Sequence, residues 1–108
     1  MPQAAQVAVV LVTCPSAAVA RRISRQLIEG RLAACVNLIP RVESIFRWRG
    51  QIEQCREILL VIKTSRRRVA ALQACVRKHH PYDVPEMIAW PLAMGHAPYL
   101  RWVLSSTT

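Results

Sequence analysis

The stretch "LAACVNLIPRVESIFRWRGQIEQCREILLVIKT", residues 32–64, decides the fold. Two extended arms flank a tight-turn signal, Arg49-Gly50. Beyond Pro40, Val42, Ser44, Phe46 and Trp48 fall on one side of the first arm. Glu43, Ile45 and Arg47 fall on the other, which is the alternation of a strand. Pro40 lacks an amide proton, so the arm must bend, bulge or lie at an edge there. The second arm starts at Gln51, and its apolar density is concentrated in 58–62. At about 3.3 Å per residue, an arm of about 14 residues reaches about 45 Å, whereas a domain of this size has a radius of gyration of about 13 Å. The hairpin therefore overshoots its own domain. Carrying Ile45, Phe46 and Trp48, it is an aggregation hazard unless it pairs with another chain. This predicts an obligate oligomer with strand pairing between subunits.

Outward from the hairpin, the remaining elements read in order. "VAVVLVT" (7–13) is continuously apolar and β-branched, as a strand buried on both faces requires. Ser16 is a candidate N-cap for a helix in which Val19, Ile23 and Leu27 form one stripe, with Gly30 after its end. "SRRRVAALQACVRKHH" (65–80) predicts a second helix with Ser65 as its cap, Val69, Leu72 and Val76 as its core stripe, and Pro81 as its stop. "EMIAWPL" (86–92) is a short strand. "APYLRWVLSS" (97–106) is a terminal helix with Leu100 and Val103 or Leu104 inward. The order β-α-β-β-α-β predicts an α+β fold, a ferredoxin-like sandwich with a long β2-β3 hairpin and a short C-terminal helix. Residues 1–108 form one domain by size.

The composition narrows the function. Apolar residues make up 53%, and the longest apolar run falls short of the about 20 residues of a membrane span. The N-terminus carries no secretory signal pattern. The four cysteines, Cys14, Cys35, Cys55 and Cys75, lack CxxC spacing and read as reduced thiols in a cytoplasm. The net charge of +9 raises a polyanionic partner. The arginines of the two helices, Arg21, Arg22, Arg25 and Arg66 to Arg68, read better as a solvated surface. An RNA-recognition module needs aromatics on its two central strands. "VAVVLVT" and "EILLVIKT" offer none, which argues against nucleic acid. Trp48, Trp90, Tyr99 and Trp102 suit subunit interfaces instead.

Three sets of residues bear chemistry. Cys75 and His79 are spaced i, i+4 on one helix face, and Cys35 on the second strand is a third candidate ligand for a soft or borderline metal. Glu57 or Glu86 would add a carboxylate. The competing reading is that Cys75 and His79 line a core face. Cys14, before a helix N-terminus, is a candidate for a lowered thiol pKa. His79 and His80 are candidates for acid/base work, oriented by Asp83 or Glu86, or else for the plain end of the second helix. No nucleophile, oxyanion or Gly-rich phosphate motif accompanies them, so no enzyme is expected.

"RLAACVNLIP", "SIFRWRGQIE", "EILLVIKT", "HHPYDVPEMIAWP" and "GHAPYLRW" occur in this order. Together, from about Val7 to Trp102, they resemble the CutA family of divalent-cation-tolerance proteins. The resemblance implies a cytoplasmic homotrimer of ferredoxin-like subunits whose hairpins pair between subunits. Phe46, Trp48 and Trp102 would then lie at the interface. It also implies a role in tolerance of copper and other divalent metals, with weak copper binding and no tightly bound cofactor. The family's trimer is similar to that of the PII signalling proteins. That suggests an alternative, a small-ligand or partner-sensing scaffold with clefts between subunits, to be screened with nucleotides and anionic metabolites. Two positions depart from the family pattern. Phe46 stands where tyrosine is frequent, and Thr13 stands where some members end the first strand in cysteine.

Overall fold

The chain reversal at Arg49 and Gly50 sets the shape of the molecule. Both residues have positive φ, 50° and 78°, as a two-residue type I′ hairpin turn requires. Gly50 takes this backbone without the steric cost of a Cβ. The computed structural model, which describes residues 2–108, places strand β2 (Cys35–Trp48) and strand β3 (Gln51–Ser65) on either side of this turn. Val42, Ser44, Phe46 and Trp48 stand opposite Glu57, Cys55, Glu53 and Gln51. The register shifts between Ile39 and Val42, where Pro40 and the left-handed Arg41 (φ 60°) form a bulge. Proline is tolerated there because β2 is an edge strand and the bulge removes a ladder bond anyway.

Two further strands, β1 (Val7–Cys14) and β4 (Met87–Pro91), complete a sheet of order β2-β3-β1-β4 with antiparallel neighbours throughout. Helix α1 (Ala17–Glu29) and helix α2 (Val69–His79) cover one face. Val10, Val12 and Cys14 of β1 and Leu60 and Ile62 of β3 pack there against Ala20, Ile23 and Leu27 of α1 and Leu72 and Val76 of α2. Helix α3 (Ala97–Ser106) lies on the opposite face, where Leu100 and Val103 meet Val7. This is the expected ferredoxin-like sandwich with its tail helix. The β1–β3 pairing begins only at Ile58 and runs to Ser65. Residues 42–57 are therefore a two-stranded ribbon beyond the sheet, and the molecule measures 43 × 26 × 22 Å.

Local capping follows the sequence in one helix and departs from it in the other. Ser16 Oγ accepts from the Val19 amide at 3.2 Å, a standard N-cap bond. Ser65 does not cap α2. It ends β3, its hydroxyl bonds that of Thr107, and a 3₁₀ turn over Arg66–Arg68 precedes the helix. Strand pairing to Val7 and the buried bond to α3 outcompete the cap. The left-handed residue after α1 is Arg31 (φ 56°), one position beyond the expected Gly30. The arginines are also less idle than a solvated surface implies. Arg67 Nη2 and Arg68 Nε both donate to the Thr107 carbonyl, at 3.2 and 2.9 Å, and hold the end of α3. Arg22 Nη2 donates to the His79 carbonyl at 3.3 Å, giving a last-turn carbonyl of α2 a partner.

Candidate functional site

The segment after α2 is tied to the sheet by a chain of hydrogen bonds. His80 is buried, and its Nε2 lies 2.7 Å from the Thr13 carbonyl at the end of β1. The Tyr82 amide donates to His80 Nδ1 at 3.1 Å. That donor fixes the tautomer, since Nδ1 must accept, so Nε2 carries the proton and donates to Thr13. The Tyr82 ring tilts over the imidazole with centroids 4.7 Å apart. The Tyr82 hydroxyl donates to Glu57 Oε2 at 2.9 Å. Thr13, His80, Tyr82 and Glu57 thus link β1, the loop and β3 where the sheet narrows to the ribbon. Both ring partners of His80 are backbone groups. Asp83 and Glu86 do not orient it, contrary to the sequence expectation, because the 80–82 turn brings an amide to Nδ1 first.

Between this loop and the ribbon lies a cavity of about 710 Å³. Thr13, Ile45, Phe46, Trp48, Cys55, Tyr82 and Val84 contribute to its walls, together with Glu43, Glu53, Glu57, Asp83 and Glu86. Those five are all but one of the chain's Asp and Glu residues, and no Lys or Arg lines the cavity. Glu57 is the deepest of the carboxylates, only 5% exposed. Its field is felt by its neighbours. Burial first, then the Glu57 carboxylate, pushes the Cys14 thiol up to about 11. The same two causes, with the Glu53 carboxylate third, raise the Cys55 thiol. Burial, followed by the hydrogen bond to Glu57 and its charge, raises the Tyr82 phenol.

This corrects the reading of Cys14. It is the last residue of β1, fully buried, and its thiolate is disfavoured rather than promoted. Burial and a neighbouring anion outweigh the helix N-terminus that follows it.

The expected metal set does not assemble within one chain. Cys75 packs against the main core, on the face covered by α1 and α2, and His79 is half-buried at the end of α2. Cys35 pairs with Lys63 and points to the other side of the sheet, where it shares a hydrogen bond with Tyr99 of α3. The sheet separates it from Cys75, because alternate residues of a strand face opposite ways. Among the described residues, no three His, Cys, Asp or Glu side chains gather as ligands of one ion.

Phe46 and Trp48 lie on the ribbon at 43% and 41% exposure, and the Arg49 guanidinium sits over the Trp48 ring at 5.5 Å. Trp102 stacks at a tilt on Tyr99 and is 46% exposed. The His80–Tyr82–Glu57 link escaped the sequence reading. Glu57 was considered only as a metal carboxylate. A charged residue directly before "ILLVI" in a buried strand was the available signal that it needs a partner.

With this geometry in view, comparison with known proteins is decisive. Residues 8–106 match the family described as CutA1 divalent ion tolerance protein. The chain belongs to the CutA1 family. It is 52% identical over 97 residues to Protein CutA of Mus musculus, covering 90% of this chain and 55% of that protein. It is 46% identical to the divalent-cation tolerance protein CutA of Thermus thermophilus, covering 92% and 96%. The solved structure of the Thermus thermophilus protein superposes with a TM-score of 0.92 at 45% identity, covering 94% of this chain and 99% of that one. That of CutA from Xylella fastidiosa superposes at 0.93 and 40% identity, covering 95% and 99%. The chain spans a little over half the length of the mouse, human and bovine relatives. No helix among the described residues is long and apolar enough to cross a membrane. CutA1 relatives carry names that place them in different compartments, chloroplastic in Oryza sativa and periplasmic in Archaeoglobus fulgidus.

Proposed function

We propose that this chain is the subunit of a cytoplasmic homotrimer that acts in divalent-metal tolerance and binds copper or other divalent cations weakly, with no tightly held cofactor and no enzymatic reaction. The observation that carries the assembly is the unsupported ribbon. Residues 42–57 have no third strand, and they expose Ile45, Phe46, Trp48 and Ile52 at 41–70%. A two-stranded hairpin is marginal by itself in water. Pairing with other copies would supply the missing strand and cover these side chains, and Trp102 would join the same interface. Family membership supports the metal role. Four free cysteines fit a reducing compartment.

Metal affinity would be weak because a strong site needs three or four convergent ligands. Cys75 and His79 supply two from α2, and Cys35 would have to come from another copy. The test is copper titration of metal-stripped, reduced protein by calorimetry, alongside its light-scattering mass. Weak heats that diminish in Cys75→Ser/His79→Ala, at a three-chain mass, are the expected result. Heats unchanged by that double substitution remove the α2 ligands, and a one-chain mass removes the trimer.

The cavity favours a second reading, a scaffold that senses a small ligand. Its volume lies within the about 300–1,000 Å³ of ordinary ligand pockets. A thermal-shift screen separates this reading from pure metal tolerance. Shifts at near-stoichiometric organic ligand support the scaffold, and a flat screen removes it.

A further inference from the structure

A chain of net charge +9 gathers five of its six carboxylates around one cavity. Repulsion among those carboxylates alone would favour scattering them among the many arginines. The deepest, Glu57, is 5% exposed, and the only partner of its carboxylate among the described residues is the Tyr82 hydroxyl on Oε2. Its Oε1 has no donor, and no Lys or Arg stands at ion-pair distance from it. A buried carboxylate with one neutral donor is costly, and it is stabilised when a cation completes it. Cys14, Cys55 and Tyr82 all have their ionisation suppressed by this same carboxylate, so the interior of the cavity is electronegative.

The shape of the charge selects the kind of cation. A divalent metal needs several donors within about 2.5 Å of one point. The carboxylates do not converge in that way, and they surround about 710 Å³ of space. Apolar and aromatic walls alternate with them, from Ile45, Phe46, Trp48, Tyr82 and Val84. Such walls attract an alkylammonium group by cation–π contact and cover its methylenes, which a hydrated metal ion lacks. Nucleotides and anionic metabolites, the ligands suggested by the PII likeness, have the wrong sign for this lining.

We propose that the cavity binds an aliphatic di- or polyammonium ion. One ammonium group pairs with Glu57 at the floor, the stem lies against Phe46 and Trp48, and the remaining charge meets the outer carboxylates. The inference rests on the small-ligand reading above and names the ligand's class.

The test uses spermidine as the probe, titrated into the reduced full chain at constant ionic strength. It is followed by calorimetry and tryptophan fluorescence, with the mass measured on the same sample. Saturable binding of one spermidine per chain is expected, together with a Trp48 signal and no displacement by magnesium at equal concentration. Glu57→Gln, which keeps the shape and removes the charge, should weaken binding about tenfold or more, as loss of a charge-assisted contact does. Should that variant fail to fold, Glu53→Gln/Glu86→Gln, both on exposed residues, should weaken binding and flatten its salt dependence. No saturable binding, unchanged affinity in the variants, or equal competition by magnesium would overturn the assignment. So would a wild type that ignores spermidine while Glu57→Gln loses its assembly, because a basic side chain of a second copy then fills the cavity. A one-chain mass with intact spermidine binding would sink the trimer alone. A three-chain mass without it would sink the polyammonium site alone.

Discussion

The two ends of the sheet obey different rules. Between Ile58 and Ser65, β3 has a strand on each side and helices on one face, and Leu60 and Ile62 are fully buried. Between Gln51 and Glu57 the same strand has one neighbour, and Ile52 is 70% exposed. The proximal end satisfies its apolar side chains within one chain. The distal end leaves them to solvent and carries the acidic cavity at its root. Stability resides at one end, and recognition, of other copies and of ligand, resides at the other.

Substitutions can sharpen this contrast. Leu60→Ala at the proximal end should cost about 2–5 kcal/mol and lower the midpoint of chemical denaturation for the whole chain, as large-to-small core changes do. A loss under about 1 kcal/mol would mean that the proximal core is not what holds the fold. Trp48→Ala at the distal end should act differently. It should weaken assembly by about 2 kcal/mol or more, as for a central interface tryptophan, and leave the far-ultraviolet circular dichroism of the chain unchanged. Sedimentation showing an assembly of unaltered stability would remove Trp48 from the interface. Ser16→Ala removes the cap of α1 and should cost about 1 kcal/mol, again at the proximal end and with no change in mass.

The smallest effect, absent at neutral pH, is an alkaline one. The folded Cys14 thiol ionises at about 11 against an ordinary 9.0. Folding therefore favours the protonated thiol. Its contribution is fully present below pH 9 and fades as pH rises from about 9 through 11. Cys14→Ala should flatten that part of the stability profile. An identical alkaline decline in the variant would assign it to other groups, of which Tyr82 is the first to examine.

The fold was legible because its signals were local. Arg49-Gly50 marked the turn, Pro40 the bulge, and Val19, Ile23 and Leu27 the buried side of α1. Arm length also foretold the overshoot, now a 43 Å long axis. What was not legible depends on contacts between residues distant in sequence. Nothing near Ser65 says that its hydroxyl meets Thr107, and nothing near His80 names Thr13 as its acceptor. The metal set failed for a related reason. Helical spacing joined Cys75 and His79 correctly on α2, but the side of the sheet on which Cys35 lies follows from strand register, which the bulge and the pairing to Lys63 decide. The cavity was hidden because its acids are scattered from Glu43 to Glu86 and only the folded ribbon brings them together.

The most direct test is the light-scattering mass of the reduced chain at micromolar concentration. A mass of three 12.2 kDa chains, falling in Phe46→Ala/Trp48→Ala, is what a ribbon completed by other copies predicts. A mass of one chain, with the ribbon protected from hydrogen exchange as strongly as Ile58–Ser65, would contradict it.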